Sequence, residues 1–150
     1  MTDKTRWYER DSRCIAAHQQ PAILIDLCLS RGINSHRLLR GCGLFLEDVQ
    51  RADTLISPAQ FLALIANAER LLAADDTSFL FGQRLLPGHH GAASQALALC
   101  ANLQQAIELL GELRSLLSPL LSPRLLLDEH WAYIYWLDSC GAGAQQRFLL

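Results

Sequence analysis

A chain of 150 residues, 51% apolar and 19% charged, has the length of one domain and enough apolar surface to bury a core without covalent staples. That composition excludes intrinsic disorder, and a formal net charge of −2 excludes a general nucleic-acid footprint. The charge is uneven: seven Lys/Arg against four acids up to Cys42, then six against eleven.

The opening "MTDKTRWYERDSRC" is polar and lacks the apolar segment of a secretory signal, so residues 1–18 read as a mobile leader. "PAILIDLCLSRG" follows as a helix, with Pro21 at its start and Gly32 just past its end. Asn34 or Ser35 caps a short second helix, "HRLLRGCG", stopped by Gly41 and Gly43. "FLEDVQRADTLI" reads as a polar connector with room for one helical turn. "SPAQFLALIANAERLLAADD" is the clearest helix: Ser57 caps it, Pro58 opens it and Gln60 completes a capping box. Its apolar stripe is Phe61, Leu64, Ile65, Ala68, Leu71 and Leu72. Asp75 or Asp76 caps "TSFLFGQRL".

"GAASQALALC" is a small-residue helix suited to close packing, and "NLQQAIELLGELRSLLSP" is a second strong amphipathic one. Asn102 caps the latter, and Leu103, Ile107, Leu110, Leu113 and Leu117 form its expected buried side. The period then changes. "RLLLDEHWAYIYWLD" is rich in aromatic and branched residues about a polar centre at Asp128–His130, which predicts a β-hairpin. The alternation puts Trp131, Tyr133 and Tyr135 on one face and Ala132, Ile134 and Trp136 on the other. Phe148-Leu149-Leu150 reads as the start of an element, so a chain that continues is expected. The fold class is therefore α+β, mainly α: about six packed helices followed by an antiparallel hairpin.

Motifs for chemistry are few. His89 and His90 are adjacent, not at the i, i+4 spacing of a helical zinc pair, and no Cys, Asp or Glu stands near enough to complete a tetrahedral set. "GHHGAAS" lacks the Lys-Ser/Thr of a phosphate loop and the G-x-G-x-x-G of a dinucleotide fold. No G-x-S-x-G is present, and Glu108 with Glu112 reads as a solvated helix face. The five cysteines, with no C-x-x-C spacing, read as small buried or incidental thiols in a reducing compartment. No run of 18 apolar residues suggests a membrane span, and a cytoplasmic location is expected. Neither metal nor cofactor nor catalysis is expected. "AILIDLCLSRGINSHRLLRGCG", with its local positive charge, imitates a helix-turn-helix, but its second helix lasts barely two turns. The aromatic hairpin is the candidate pocket wall: Trp131, Tyr133, Tyr135 and Trp136 would wall a pocket for an apolar or mixed small molecule, with the Tyr hydroxyls or Arg114 orienting it and His90 as a further ligand-facing group. The competing reading of those aromatics is plain sheet packing.

Several stretches share an order and spacing: "LIDLCLSRGINSHRLLRGCGL", "ISPAQFLALIANAERLL" and "LFGQRLLPGHHGAASQALALCANLQQAIELLGELRSLLSP". Together they resemble the N-terminal effector domain of AraC-type bacterial transcription regulators, the arabinose-binding-like, ornithine-regulator-like variety. Gly32 matches the glycine that closes the family's first helix, and Leu38-Leu39 its leucine pair. Gly88-His89-His90-Gly91 matches its glycine-framed step. Leu116-Leu117-Ser118-Pro119 and Arg147-Phe148-Leu149 match later segments. The resemblance implies a regulatory domain over residues 19–150 that binds a small effector or mediates homodimerisation. It implies DNA binding only through a C-terminal helix-turn-helix domain that has no counterpart here. The alternatives are a haem- or gas-sensor-like module, and a helical protein-interaction module without a pocket.

Overall fold

The computed structural model describes residues 9–85 and 91–150. Strand β1 (Ile15–Ala16) pairs antiparallel with β2 (Leu55–Ile56). Ile15 and Ala17 are buried, so the last residues of the segment expected to be mobile are instead paired and packed. Two-residue strands carry no alternation, which is why the sequence hides them.

Helix α1 (Gln20–Ser30) holds Pro21 in its first turn, where a missing N–H is harmless. It ends in a Schellman motif. The Ile33 N–H donates to the Cys28 carbonyl and the Gly32 N–H to that of Leu29, each at 3.0 Å. Gly32 supplies the positive φ of 81° that this closure needs. A single turn, α2 (Ser35–Leu38), follows; its cap Asn34 accepts from the His36 N–H at 2.9 Å. Four residues are too short to lie along a DNA major groove, which removes the helix-turn-helix reading of this segment. The connector forms α3 (Leu46–Gln50) before β2.

Helix α4 (Pro58–Leu72) is the centre of the core. Its capping box is as the sequence predicts: the Gln60 N–H donates to Ser57 Oγ (3.3 Å) and the Ser57 N–H to Gln60 Oε1 (3.0 Å). Phe61, Leu64, Ile65 and Ala68 face α1 and α2 and are buried with Leu24, Ile25, Cys28 and Leu38. Asn67 Nδ2 donates to the carbonyls of Leu38 and Arg40 (2.8 Å each), which fixes the tight chain after α2. Asp76 stands at the cap position of α5 (Thr77–Arg84), but its carboxylate does not cap. It forks onto Arg31 at 3.1 and 3.0 Å, tying α5 to the end of α1.

The second half is thinner. Helices α6 (Ala92–Ala98), α7 (Leu103–Glu112) and α8 (Arg114–Leu117) follow. The expected single helix from Asn102 to Pro119 breaks at Leu113. Asn102 does cap α7, accepting from the Gln105 N–H at 2.8 Å. Of the predicted stripe only Ile107 is buried, while Leu103 is 72% exposed. β3 packs on α7 at Gly111, where an added Cβ would lie 3.6 Å from the Pro123 carbonyl, and Leu103 lies two turns away.

The predicted hairpin is β3 (Ser122–Leu127) and β4 (Ala132–Leu137), in register from Ser122↔Leu137 to Leu127↔Ala132. Asp128 closes its turn, accepting from the N–H groups of His130 (2.8 Å) and Trp131 (2.7 Å). A 3₁₀ turn (Gly143–Gln145) leads into α9 (Gln146–Leu149), whose Phe148 packs on Phe81 of α5 with ring centroids 5.6 Å apart. The architecture is thus α+β and mainly helical, as the sequence indicates. Among the described residues no helix is long and apolar enough to cross a membrane.

Candidate functional site

Where the helical core meets the hairpin there is a cleft of about 600 Å³. Its buried floor is Phe81, Leu120, Leu121 and Phe148; Trp136 and Phe79 stand at its rim. The volume falls within the range of small-molecule pockets, and the mix of apolar wall with few polar groups is typical of them. Among the described residues no ionisable side chain lines it.

Gln20 is its most buried polar group, 7% exposed. Nε2 donates to the Leu117 carbonyl at 3.1 Å, which fixes the amide's orientation. Ser118 Oγ donates to the Leu121 carbonyl at 2.6 Å and holds the other end of the same wall. The cleft therefore spans three parts of the chain: the start of α1, the face of α5, and the segment from α8 through the hairpin to α9.

Of the residues singled out from the sequence as a pocket wall, Trp136 is the one among the described residues that lines this cleft. His90 falls outside the described residues, as does His89. Arg114, at the start of α8, clamps Glu9: both guanidinium ends reach its carboxylate, the longer bond being 2.6 Å, and one also donates to Ser122 Oγ at 3.0 Å. Ser139 Oγ donates to the same carboxylate at 2.9 Å. Trp131 sits in the hairpin turn, 68% exposed. Tyr133 and Tyr135 share a sheet face with Leu126 and Arg124, and Trp136 lies on the opposite face with Leu125 and Ile134. The alternation of the strand was legible, but only Trp136 of these aromatics reaches the cleft. Gln20, Phe81, Leu121 and Phe148 carried no sequence signal, because residues so far apart in the chain are joined only by the tertiary fold.

The Arg114 fork holds Glu9 below the usual carboxylate value, against partial burial and with help from Ser139. Because the folded value is depressed, this contribution is complete above the ordinary carboxylate range and is lost as pH falls through the folded value. Both groups are partly exposed, so the discounted contribution is about 1 kcal/mol. Glu9→Gln is expected to flatten the acid limb of stability below about pH 5, measured by urea unfolding across pH. A limb as steep as the parent's would contradict the clamp.

Burial pushes the Cys28 thiol up to about 11 and raises those of Cys42 and Cys140, so none of the three is a poised thiolate. All five cysteines are free, and among the described residues no cluster of three metal-ligating side chains occurs.

A family model described as the arabinose-binding domain of AraC transcription regulators, N-terminal, matches residues 32–150. The chain belongs to this family. It is a family of regulatory ligand-binding domains of transcription factors and not of enzymes. No curated protein and no solved structure matches the chain. The matched span of this AraC-type N-terminal domain takes in most of the cleft, from Phe81 to Phe148; Gln20 alone of the named lining residues precedes it.

Gly82 of α5 also lines the cleft, and a Cβ there would meet nothing within 4 Å. In a helix interior glycine costs about 1 kcal/mol relative to alanine. Gly82→Ala should therefore raise stability by about that amount in thermal or urea unfolding; a loss of stability would show that the cleft wall has no room for the added methyl.

Proposed function

We propose that this chain is the effector-sensing half of an AraC-type regulator, with the cleft beside Gln20 as the effector seat. A small molecule bound there biases the equilibrium between arrangements of the domain, and an attached helix-turn-helix domain carries the response to DNA. The observation that supports this reading is the position of the cleft. It lies where the start of α1 and the face of α5 meet the segment from α8 through the hairpin to α9, so an occupant touches all three. Gln20 joins α1 to the end of α8, and Arg114 at the other end of α8 joins Glu9 to Ser122 of the hairpin. A ligand that moves the Leu117–Leu121 wall acts on that chain of contacts.

The test is a thermal-shift screen of a metabolite library against the parent and Gly82→Trp, whose indole fills the cleft. A ligand at 100 times its Kd stabilises the native state by about 2.7 kcal/mol. Stabilising compounds whose effect disappears in Gly82→Trp support the cleft as the seat. Stabilisation that survives the substitution places the effector elsewhere.

One observation favours a second role, homodimerisation. Leu126, Tyr133 and Tyr135 share one face of the hairpin and are exposed, as is Trp131 in its turn. Sedimentation of the parent against Tyr133→Lys separates the cases: a dimer that the substitution dissolves supports this role, and a monomeric parent removes it.

A further inference from the structure

Resting on the cleft as the effector seat, we infer that its ligand is an uncharged, mainly apolar molecule carrying a hydroxyl or N–H that donates to Gln20 Oε1. Gln20 supplies the polar contact. Its Nε2 is committed to the Leu117 carbonyl, so Oε1 is the free end of a residue only 7% exposed. Among the described residues no donor reaches that oxygen, and a buried acceptor without a partner costs about 1–3 kcal/mol. A ligand donor removes that cost on binding.

The apolar side is the wall. Phe81, Phe148, Leu120 and Leu121 present hydrocarbon, and Trp136 stands at the rim. A charged ligand group would lose its water there. The lining described offers it only the dipoles of Gln20, Gln83, Ser78 and Ser118 and the backbone, with no counter-charge. Gln20 is then a specificity residue, and it also transmits occupancy, since the same amide grips the end of α8.

Three fluorescent probes built on one ring skeleton test this. N-phenyl-1-naphthylamine is neutral with one N–H; its N-methyl derivative lacks the donor; 1-anilinonaphthalene-8-sulfonate adds a fixed negative charge. Affinities are read by fluorescence titration, with energy transfer from tryptophan as a second signal. The neutral amine should bind the parent at least tenfold more tightly than the sulfonate. Gln20→Met should weaken the amine about fivefold and leave the N-methyl derivative unchanged. A sulfonate that binds as well as the amine, or equal losses for both amines in Gln20→Met, overturns the ligand class. Gly82→Trp, with Gly82→Leu as the milder blocking variant, separates that failure from a larger one. Binding abolished by the block but blind to charge defeats only the ligand class, whereas binding that ignores the block defeats the cleft as the seat. Should Gln20→Met fail to fold, the charge comparison on the parent decides alone.

Discussion

Replacing Phe61 with Ala is expected to cost about 3–5 kcal/mol, enough to lower the melting temperature by roughly 10–15 °C. The ring is 0% exposed, one turn past the Ser57 capping box, in the layer where α4 meets α1 and α2. Its neighbours Leu24, Ile25, Leu38, Leu64 and Ile65 are all buried on capped or glycine-closed helices, so they have little freedom to collapse into the space left behind. With a total stability of about 5–15 kcal/mol for a domain, the variant should sit near the edge of folding. Urea unfolding monitored by circular dichroism checks it. A loss under about 1 kcal/mol would mean that α4 does not anchor the core.

Asp138→Ala is expected to cost about 2–4 kcal/mol, with an effect local to the cleft. Asp138 Oδ1 accepts from the backbone N–H groups of Cys140 (3.0 Å), Gly141 (2.7 Å) and Ala142 (3.0 Å), and Oδ2 from Gly143 (3.3 Å). This carboxylate folds the turn that leads from β4 to α9 and so sets Phe148 against Phe81. Partial burial alone would raise its pKa, but the four N–H donors outweigh it and the value lies below the ordinary carboxylate one. The sign matches that of Glu9: the contribution holds above the unfolded carboxylate value and fades as pH falls through the folded one. Hydrogen exchange over residues 140–149 should accelerate sharply in Asp138→Ala and less in Asp138→Asn, which keeps one acceptor oxygen. Unchanged protection in the alanine variant would contradict the anchoring role.

Local chemistry was legible in the sequence where it is carried by near neighbours. Ser57 with Gln60, Asn102 with Gln105, Gly32 after α1 and Asp128 in the hairpin turn each act within a few residues, and each is found in the expected role. The hairpin was legible because its composition and period differ from the helices before it. What escaped was decided at long range. The β1–β2 pair joins residues about forty apart through two-residue strands. Arg114 reads as a free cation in the sequence, yet its partner Glu9 lies 105 positions away. Gln20 follows the same rule, since its amide meets Leu117 across 97 positions. Leu103 has the right spacing for a buried stripe, but β3 covers α7 only around Ile107 and Gly111. Periodicity identifies which face of a helix is apolar; it does not say how far along that face a neighbour reaches.

Backbone amide NMR during titration with N-phenyl-1-naphthylamine shows whether the effector sits in the cleft. The cleft predicts saturable shifts at Gln20, Phe81, Gly82, Leu121 and Phe148 and at the indole N–H of Trp136. Shifts confined to the hairpin turn around Trp131 and to Tyr133, with the cleft amides unmoved, would contradict it.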